Sequence, residues 1–261
     1  MKTISVINQK GGVGKTTTVA ALAAVLKESN YKVCVIDLDQ QRNLSIYYGF
    51  KNEADLETSA ADVFLSSEEI KITDMVYETS LGDIIPASES LAMVDTATVN
   101  DLDRPIKLKA ALKELENYYD YILIDTPPSL GIVTINALTA SNFAVIPSEA
   151  GAFSMAGIVQ VNKTIETVRK YTNQSLSVAG VLITKYQKNT RAQAAMKDYI
   201  DQLSMAYNHY IFKATIRNTI TIGETQIQNV SLTDYASNNE VTNDYRQFTN
   251  ELLKRIEMGE K

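Results

Sequence analysis

The sequence predicts an α/β fold, a doubly wound, mostly parallel sheet with helices on both faces. Three observations carry this expectation. Short runs of β-branched and aliphatic residues alternate with helical stretches. The runs are continuously apolar, as strands covered on both faces are. The residues with chemistry to offer fall just after the runs, where the carboxyl ends of parallel strands open onto a ligand crevice. At 261 residues the chain can bury a full core, so residues 1–261 are expected to form a single domain.

The elements follow in order. TISVIN (3–8) reads as a first buried strand, and TTTVAALAAVLKES, from about Thr16, as an Ala/Leu-rich helix. KVCVID (32–37) and GDIIPA (82–87) read as strands, RPIKLKAALKELENY (104–118) as an amphipathic helix. YILIDTPP (121–128) is a buried strand that stops at a proline pair, since proline cannot donate to a ladder. LGIVTINALTAS (130–141) reads as helix, FAVIPS (143–148) as strand, 154–171 as a long helix, and SVAGVLIT (177–184) as a further strand. FTNELLKRIEMGEK at the end reads as a short helix that packs on the domain. No linker, repeat or low-complexity tract interrupts the pattern.

Composition narrows the function classes. Hydrophobic residues make up 45% and charged residues 21%, which fits a globular protein. The one cysteine, Cys34, lies in an apolar run, and there is one histidine, His209. Neither a disulfide nor a zinc or iron–sulfur cluster is expected from that inventory, and a reducing cytoplasmic home is. No apolar run reaches the roughly 20 residues that span a bilayer, and no signal peptide is visible. The net charge of −6 is uneven. Residues 1–130 hold 12 Lys/Arg against 20 Asp/Glu, whereas Lys163–Arg217 hold nine basic and three acidic residues. A local positive face on an acidic protein is therefore open to anionic partners, or is simply solvated.

NQKGGVGKTTT (8–18) lies between the first strand and the first helix. Gly11, Gly12, Val13, Gly14, Lys15 and Thr16 nearly fit the P-loop pattern, with Gln9 where the strict pattern has its first glycine. Glycines let backbone N–H groups converge on phosphate, and the helix N-terminus adds its dipole. Lys15 is expected on the β- and γ-phosphates of ATP, and the Thr16 hydroxyl on Mg²⁺, with Thr17 beside it. Lys10 is the anomaly, because a second lysine before the glycines is either solvated or has a separate task. DLDQQRNLS (37–45) places Asp37 and Asp39 two apart at a strand end, either as turn and cap residues or as part of the site. Asp125 ends a hydrophobic strand about 110 residues after the loop and is followed by Thr-Pro-Pro-Ser.

The spacing K-G-G-V-G-K-T resembles the deviant Walker A box of the ParA/MinD ATPases. DLDQQ resembles that family's first switch, DTPPS its second, and VIPSEAGAFSMAGI (145–158) a segment near its dimer interface. The resemblance covers nearly the whole chain and is strongest to ParA/Soj-type partition ATPases. It implies that Lys10 reaches the phosphates held by a second copy in an ATP-state homodimer. It also implies that Asp37 and Asp125 organise the Mg²⁺ water shell and that Asp39 orients the attacking water. Glu149 is either partner-facing or solvated. TKYQKNTRAQ (184–193) and FKATIRNTI (212–220) match more loosely. They imply adenine contacts around Thr184, Lys185, Ile216, Arg217 and Asn218. For non-specific double-stranded DNA they imply Lys185, Lys188, Arg191 and Arg217, or else a solvated basic face. A ParB-type centromere-binding partner and a nucleoid-associated location follow from the same resemblance.

The chain departs from the family pattern at Gln40, where proline is usual, and at Arg42, where glycine is usual. Arg42 is expected as a bulky cation beside the hydrolytic water. TIRN lacks the usual proline, and the usual arginine of the first basic segment is Asn189, with Arg191 after it. A MinD-like membrane-associated ATPase is the alternative. It would carry a C-terminal amphipathic anchor, which the last residues do not resemble, so no stable membrane insertion is expected.

Overall fold

The computed structural model describes residues 1–66, 70–149, 154–187, 202 and 209–259. Its strands are β1 (Lys2–Val6), β2 (Val33–Asp37), β3 (Tyr77–Thr79), β4 (Gly82–Ile85), β5 (Tyr121–Asp125), β6 (Phe143–Glu149), β7 (Ser177–Tyr186) and β8 (Ile211–Arg217). They form one eight-stranded sheet in the order β3-β4-β2-β5-β1-β6-β7-β8. Every pair is parallel except β3 with β4. The helices that matter for the site and its support are α1 (Lys15–Glu28), α2 (Asn43–Tyr47), α3 (Ile132–Ala140), α4 (Ser154–Tyr171), α5 (Thr221–Gln228) and α6 (Glu240–Gly259).

The sheet is covered on both sides, as its apolar strands require. Leu22 and Leu26 of α1 and Phe248 and Leu252 of α6 pack on Ile4, Val35, Leu123 and Val145. On the opposite face Ile36, Ile122 and Ile124 meet Leu108, Leu112 and Val133. Ile158, Val161 and Ile165 of α4 cover Ile146 and Val181. The expected doubly wound α/β fold is the one observed.

Strand register sets the site. Asp125 at the end of β5 lies opposite Val6 of β1 on one side and Asp37 of β2 on the other. Adjacent strands run about 4.8 Å apart, so the two carboxylates leave the sheet side by side. On the other flank Glu149 of β6 pairs in register with Thr184 of β7.

Two elements differ from the sequence reading. The helix expected over 104–118 is α-helical only over Lys107–Ala111 and tightens to a 3₁₀ turn over Leu112–Leu115. The tighter turn keeps Leu108, Leu112 and Leu115 together under the sheet. The last helix is not short but runs 20 residues, Glu240–Gly259. Val241, Tyr245, Phe248, Leu252 and Ile256 recur at helical spacing, and all are buried. Strand β8, read from the sequence only as a motif, is half-covered: Phe212, Ala214 and Ile216 face α6. The carboxylate of Glu251 on α6 accepts the N–H groups of Lys213 at 3.0 Å and Ala214 at 3.1 Å, satisfying donors that a sheet edge leaves open.

Phe248 is fully buried and stands edge-on to Phe212, with centroids 4.9 Å apart. Phe248→Ala leaves a cavity between α6 and β8. Urea denaturation should show a loss of about 3–5 kcal/mol.

Candidate functional site

The loop between β1 and α1 carries two residues in the left-handed region, Gly12 at φ 76° and Gly14 at φ 88°. Glycine alone adopts that region without steric cost, which explains both positions. Gly14 is the N-cap of α1, and no side chain caps the helix there. The first-turn N–H groups of α1 are thus left for a ligand, with the helix dipole behind them. The loop is pinned from outside. Thr184 Oγ1 donates to the Val13 carbonyl at 2.9 Å. Asn8 donates to the Pro147 carbonyl at 2.7 Å and accepts the Lys10 N–H at 2.9 Å.

A cleft of about 570 Å³ opens over this loop. Gly11, Gly12, Gly14, Lys15, Thr16 and Thr17 form one wall, and Asp39, Gln41, Asn43, Ile46 and Tyr47 the facing one. Pro128, Lys185 and Gln226 complete the rim. Val13 is buried behind the glycines. Of the three aspartates singled out in the sequence, Asp39 lines the cleft, and Asp37 and Asp125 lie buried at neighbouring strand ends. Asp37 is fully buried and accepts three hydrogen bonds, from Ser45 N at 2.8 Å, Ser45 Oγ at 2.7 Å and Asp39 N at 3.1 Å. Burial pushes its pKa up to about 6 against the lowering effect of those bonds, and the neighbouring Asp39 adds to the rise. Asp125 is fully buried too, and neither of its oxygens has a hydrogen-bond partner of good geometry. Burial, then Asp37, raises its pKa well above the ordinary value, with Thr16 and Lys15 opposing. Burial lowers the pKa of Lys15, against the pull of Asp125 and Asp39.

A buried carboxylate without a partner beside a second one is costly unless a cation neutralises both. The donor set fits magnesium. Among the described residues no three acidic, histidine or cysteine side chains converge as a protein-only metal cage. Mg²⁺ is usually held by one or two carboxylates, water and substrate phosphates, so none is needed. Thr16, Asp125 and Asp37 are the residues that would hold it.

The remaining candidates are placed differently. The Lys10 ammonium, 40% exposed, donates to Glu149 Oε2 at 2.8 Å, and Lys185 Nζ stands 3.0 Å from Glu149 Oε1. Burial acts to raise the Glu149 pKa, but the two lysines outweigh it and hold the carboxyl below the usual range. Ile216 points into the core beneath α6. Asn218 N–H donates to the Tyr186 carbonyl at 3.1 Å. Arg217 is gripped by Asp244 through Nε at 2.7 Å and Nη2 at 2.9 Å, and also pairs with Glu240. None of Ile216, Arg217 and Asn218 lines the cleft. Lys188 and Arg191 lie outside the described residues. Arg42 does not stand beside the cleft as expected: its guanidinium turns away to the carbonyls of Ala87 and Phe50. The sequence reading missed Ser45, whose only signal was its place in DLDQQRNLS. It also missed Gln226, Ile46 and Tyr47, which only the tertiary fold brings to the cleft.

Comparison with known proteins gives the family. Residues 1–178 match the family model described as an AAA domain. The chain is 35% identical over 225 residues to the sporulation initiation inhibitor protein Soj of Bacillus subtilis, covering 85% of this chain and 87% of that one. It is 30% identical to the chromosome-partitioning ATPase Soj of Treponema pallidum, covering 97% of this chain and 98% of that one. The chain belongs to the Soj/ParA family of ATPases. Among solved structures, a Mycobacterium smegmatis protein described as cobyrinic acid a,c-diamide synthase, with ADP and magnesium bound, superposes with a TM-score of 0.85. It is 29% identical and covers 99% of this chain and 96% of that one. That family membership identifies the chain as an ATPase, with ATP and Mg²⁺ as its cofactors.

Asp125→Asn removes a buried charge that Thr16 and Lys15 offset only in part. The nucleotide-free variant should be more stable than the parent by about 1–3 kcal/mol. It should also lose the extra thermal stability that ATP with Mg²⁺ gives the parent. Thermal melts with and without nucleotide and metal check both.

Proposed function

We propose that this chain is a partition ATPase that dimerises on ATP, binds DNA without sequence preference in that state, and is stimulated by a ParB-type partner. The observation that carries the reading is the buried Asp125 carboxylate beside Asp37, with Lys15 near enough to oppose its charge and an uncapped helix N-terminus on the wall of the cleft. That arrangement answers a triphosphate with a divalent cation better than it answers any neutral ligand.

The residues act as follows. Backbone N–H groups of Gly11 to Thr17 cradle the phosphates, and Lys15 neutralises the β- and γ-oxygens. Bound Mg²⁺ supplies further neutralisation of the phosphate charge. With the ion bound, Thr16 would offer it a hydroxyl, and Asp125 and Asp37 would order the water around it. Asp39 orients the water that attacks the γ-phosphorus, because phosphoryl transfer depends chiefly on positioning and electrostatics. Lys10 stands on the rim, outside the lining of its own cleft, as a residue that serves a second copy should. Residues 1–261 act as one domain.

Support for DNA binding is the positive balance of Lys163–Arg217, together with the family. Lys185 is the described cation on that side of the cleft, and Lys188 and Arg191 are its proposed companions. Arg217 already has carboxylate partners, so its charge serves first to hold β8 to α6. A cytoplasmic, nucleoid-associated location goes with this reading. The MinD-like alternative has less support, because the apolar stripe of α6 is spent on the core. No helix among the described residues is long and apolar enough to cross a membrane.

The test is binding to random-sequence DNA and to anionic liposomes, each with ATP, ADP and no nucleotide. ATP-dependent DNA binding that weakens steeply with salt is expected. Equal binding in ADP, or binding to liposomes alone, contradicts it.

Two substitutions separate the lysines. Lys15→Ala should abolish ATP binding, measured by calorimetry. Lys10→Ala should still bind ATP through Lys15 and the backbone, but should lose ATP-dependent dimerisation and hydrolysis. Sedimentation with ATP and Mg²⁺, beside phosphate release, reads the difference. A variant that dimerises and turns over like the parent makes Lys10 an ordinary surface residue.

A further inference from the structure

Arg42 adopts φ 58° and ψ 23°, the left-handed region, at the N-cap of α2. A residue with a Cβ gives up roughly 1 kcal/mol there, and glycine gives up almost nothing. The backbone alone therefore favours glycine, and something in the side chain compensates. The side chain is only 8% exposed. Its Nε donates to the Ala87 carbonyl at 3.1 Å and its Nη2 to the Phe50 carbonyl at 3.1 Å. Glu53 stands 3.9 Å from Nη1.

These bonds close a circuit around the catalytic turn. Ala87, held through its carbonyl by Arg42, donates its own N–H to Ser45 Oγ at 2.9 Å. Ser45 Oγ in turn donates to Asp37 at 2.7 Å. On the backbone side, Arg42 N–H donates to the Asp39 carbonyl at 2.8 Å, and Gln41 N–H to Asp39 Oδ1 at 3.0 Å. Asp37, Ser45, Ala87, Arg42 and Asp39 thus form one hydrogen-bonded ring, with Asp39 at the cleft.

We infer that Arg42 is a positioning residue for ATP hydrolysis: its clamp on Ala87 and Phe50 fixes the turn that aims the Asp39 carboxylate at the attacking water. This rests on the proposed role of Asp39. The clamp leaves the phosphate cradle untouched but reaches Asp37 through Ala87 and Ser45, so ATP affinity is measured without Mg²⁺, where the cradle alone acts. Arg42→Gly is the decisive variant, because glycine suits the backbone and deletes only the clamp.

The experiment measures phosphate release at saturating ATP and ATP affinity by calorimetry, for the parent, Arg42→Gly, Arg42→Lys, Asp39→Ala and the Asp39→Ala/Arg42→Gly double variant. Turnover of Arg42→Gly should fall roughly ten- to hundredfold, the size expected when a reacting group is slightly misplaced. Its ATP affinity should stay within about twofold of the parent, since no residue of the phosphate cradle changes. Arg42→Lys keeps a cation that can reach one carbonyl and should recover part of the loss. The double variant should be no slower than Asp39→Ala alone, because both changes remove one function. Parent-like turnover in Arg42→Gly overturns the inference. So does an equal fall in affinity, or additive losses in the double variant. If Arg42→Gly does not fold, Arg42→Lys decides by the same criterion, slower turnover at unchanged affinity. Parent-like hydrolysis by Asp39→Ala instead removes the water-orienting role from Asp39 itself.

Discussion

Two carboxylates brought side by side by strand register are the constraint on which the site depends. Asp37 and Asp125 end neighbouring parallel strands at the same level, and both are fully buried. Burial raises the pKa of both, Asp37 adds to the rise at Asp125, and Asp39 adds to the rise at Asp37. The protein relieves one of them internally, through Ser45 and the Asp39 amide. It leaves Asp125 without a hydrogen bond of good geometry. Stability is thereby given up in the nucleotide-free state and recovered when cationic charge enters. A site of this kind binds metal and phosphate as a unit, because neither the acids nor Lys15 is comfortable alone.

The same constraint explains why the strands must be so regular. A one-residue slip of β2 against β5 would part the two acids and turn side chains to the wrong face. Continuous apolar packing from α1 and α6 on one side and from α3 and α4 on the other prevents such a slip. The pinning bonds of the glycine loop belong to this scheme. Thr184 and Asn8 fix the loop to β7 and β6, so the phosphate cradle and the acid pair keep one geometry although they lie on different strands.

Much of this was legible in the sequence. Apolar runs ending in Asp37 and Asp125, and a glycine loop between strand and helix, specify the centre of the sheet and the wall of the cleft. They are legible because strand ends and helix caps are local, and each has its own residue chemistry. The less legible parts depend on distant contacts. α6 looked short because its buried stripe is separated by polar residues, and β8 becomes a strand only by pairing with β7 and packing on α6. Arg42 stood out as a departure from pattern, but nothing local said where its guanidinium would go. Ala87 lies 45 residues along the chain and Phe50 eight, past the end of α2, and only the fold reveals them as its partners.

The charges at the mouth lead to a last point about how such a site responds to ligand. Lys10 and Lys185 share the single carboxylate of Glu149, and Arg217 is held by Asp244 and Glu240. An anion that approaches either lysine therefore enters an exchange of partners and does not meet a waiting charge. Part of the gain is offset by the bond to Glu149 that must break, so simple affinity is lower than the number of cations suggests. The exchange also has a structural consequence, because Glu149 lies in register with Thr184, whose hydroxyl holds the Val13 carbonyl. The ion pairs at the mouth thus lie one register pair from the bond that pins the phosphate loop. A ligand shifts such a system only by as much as it favours one arrangement over the other.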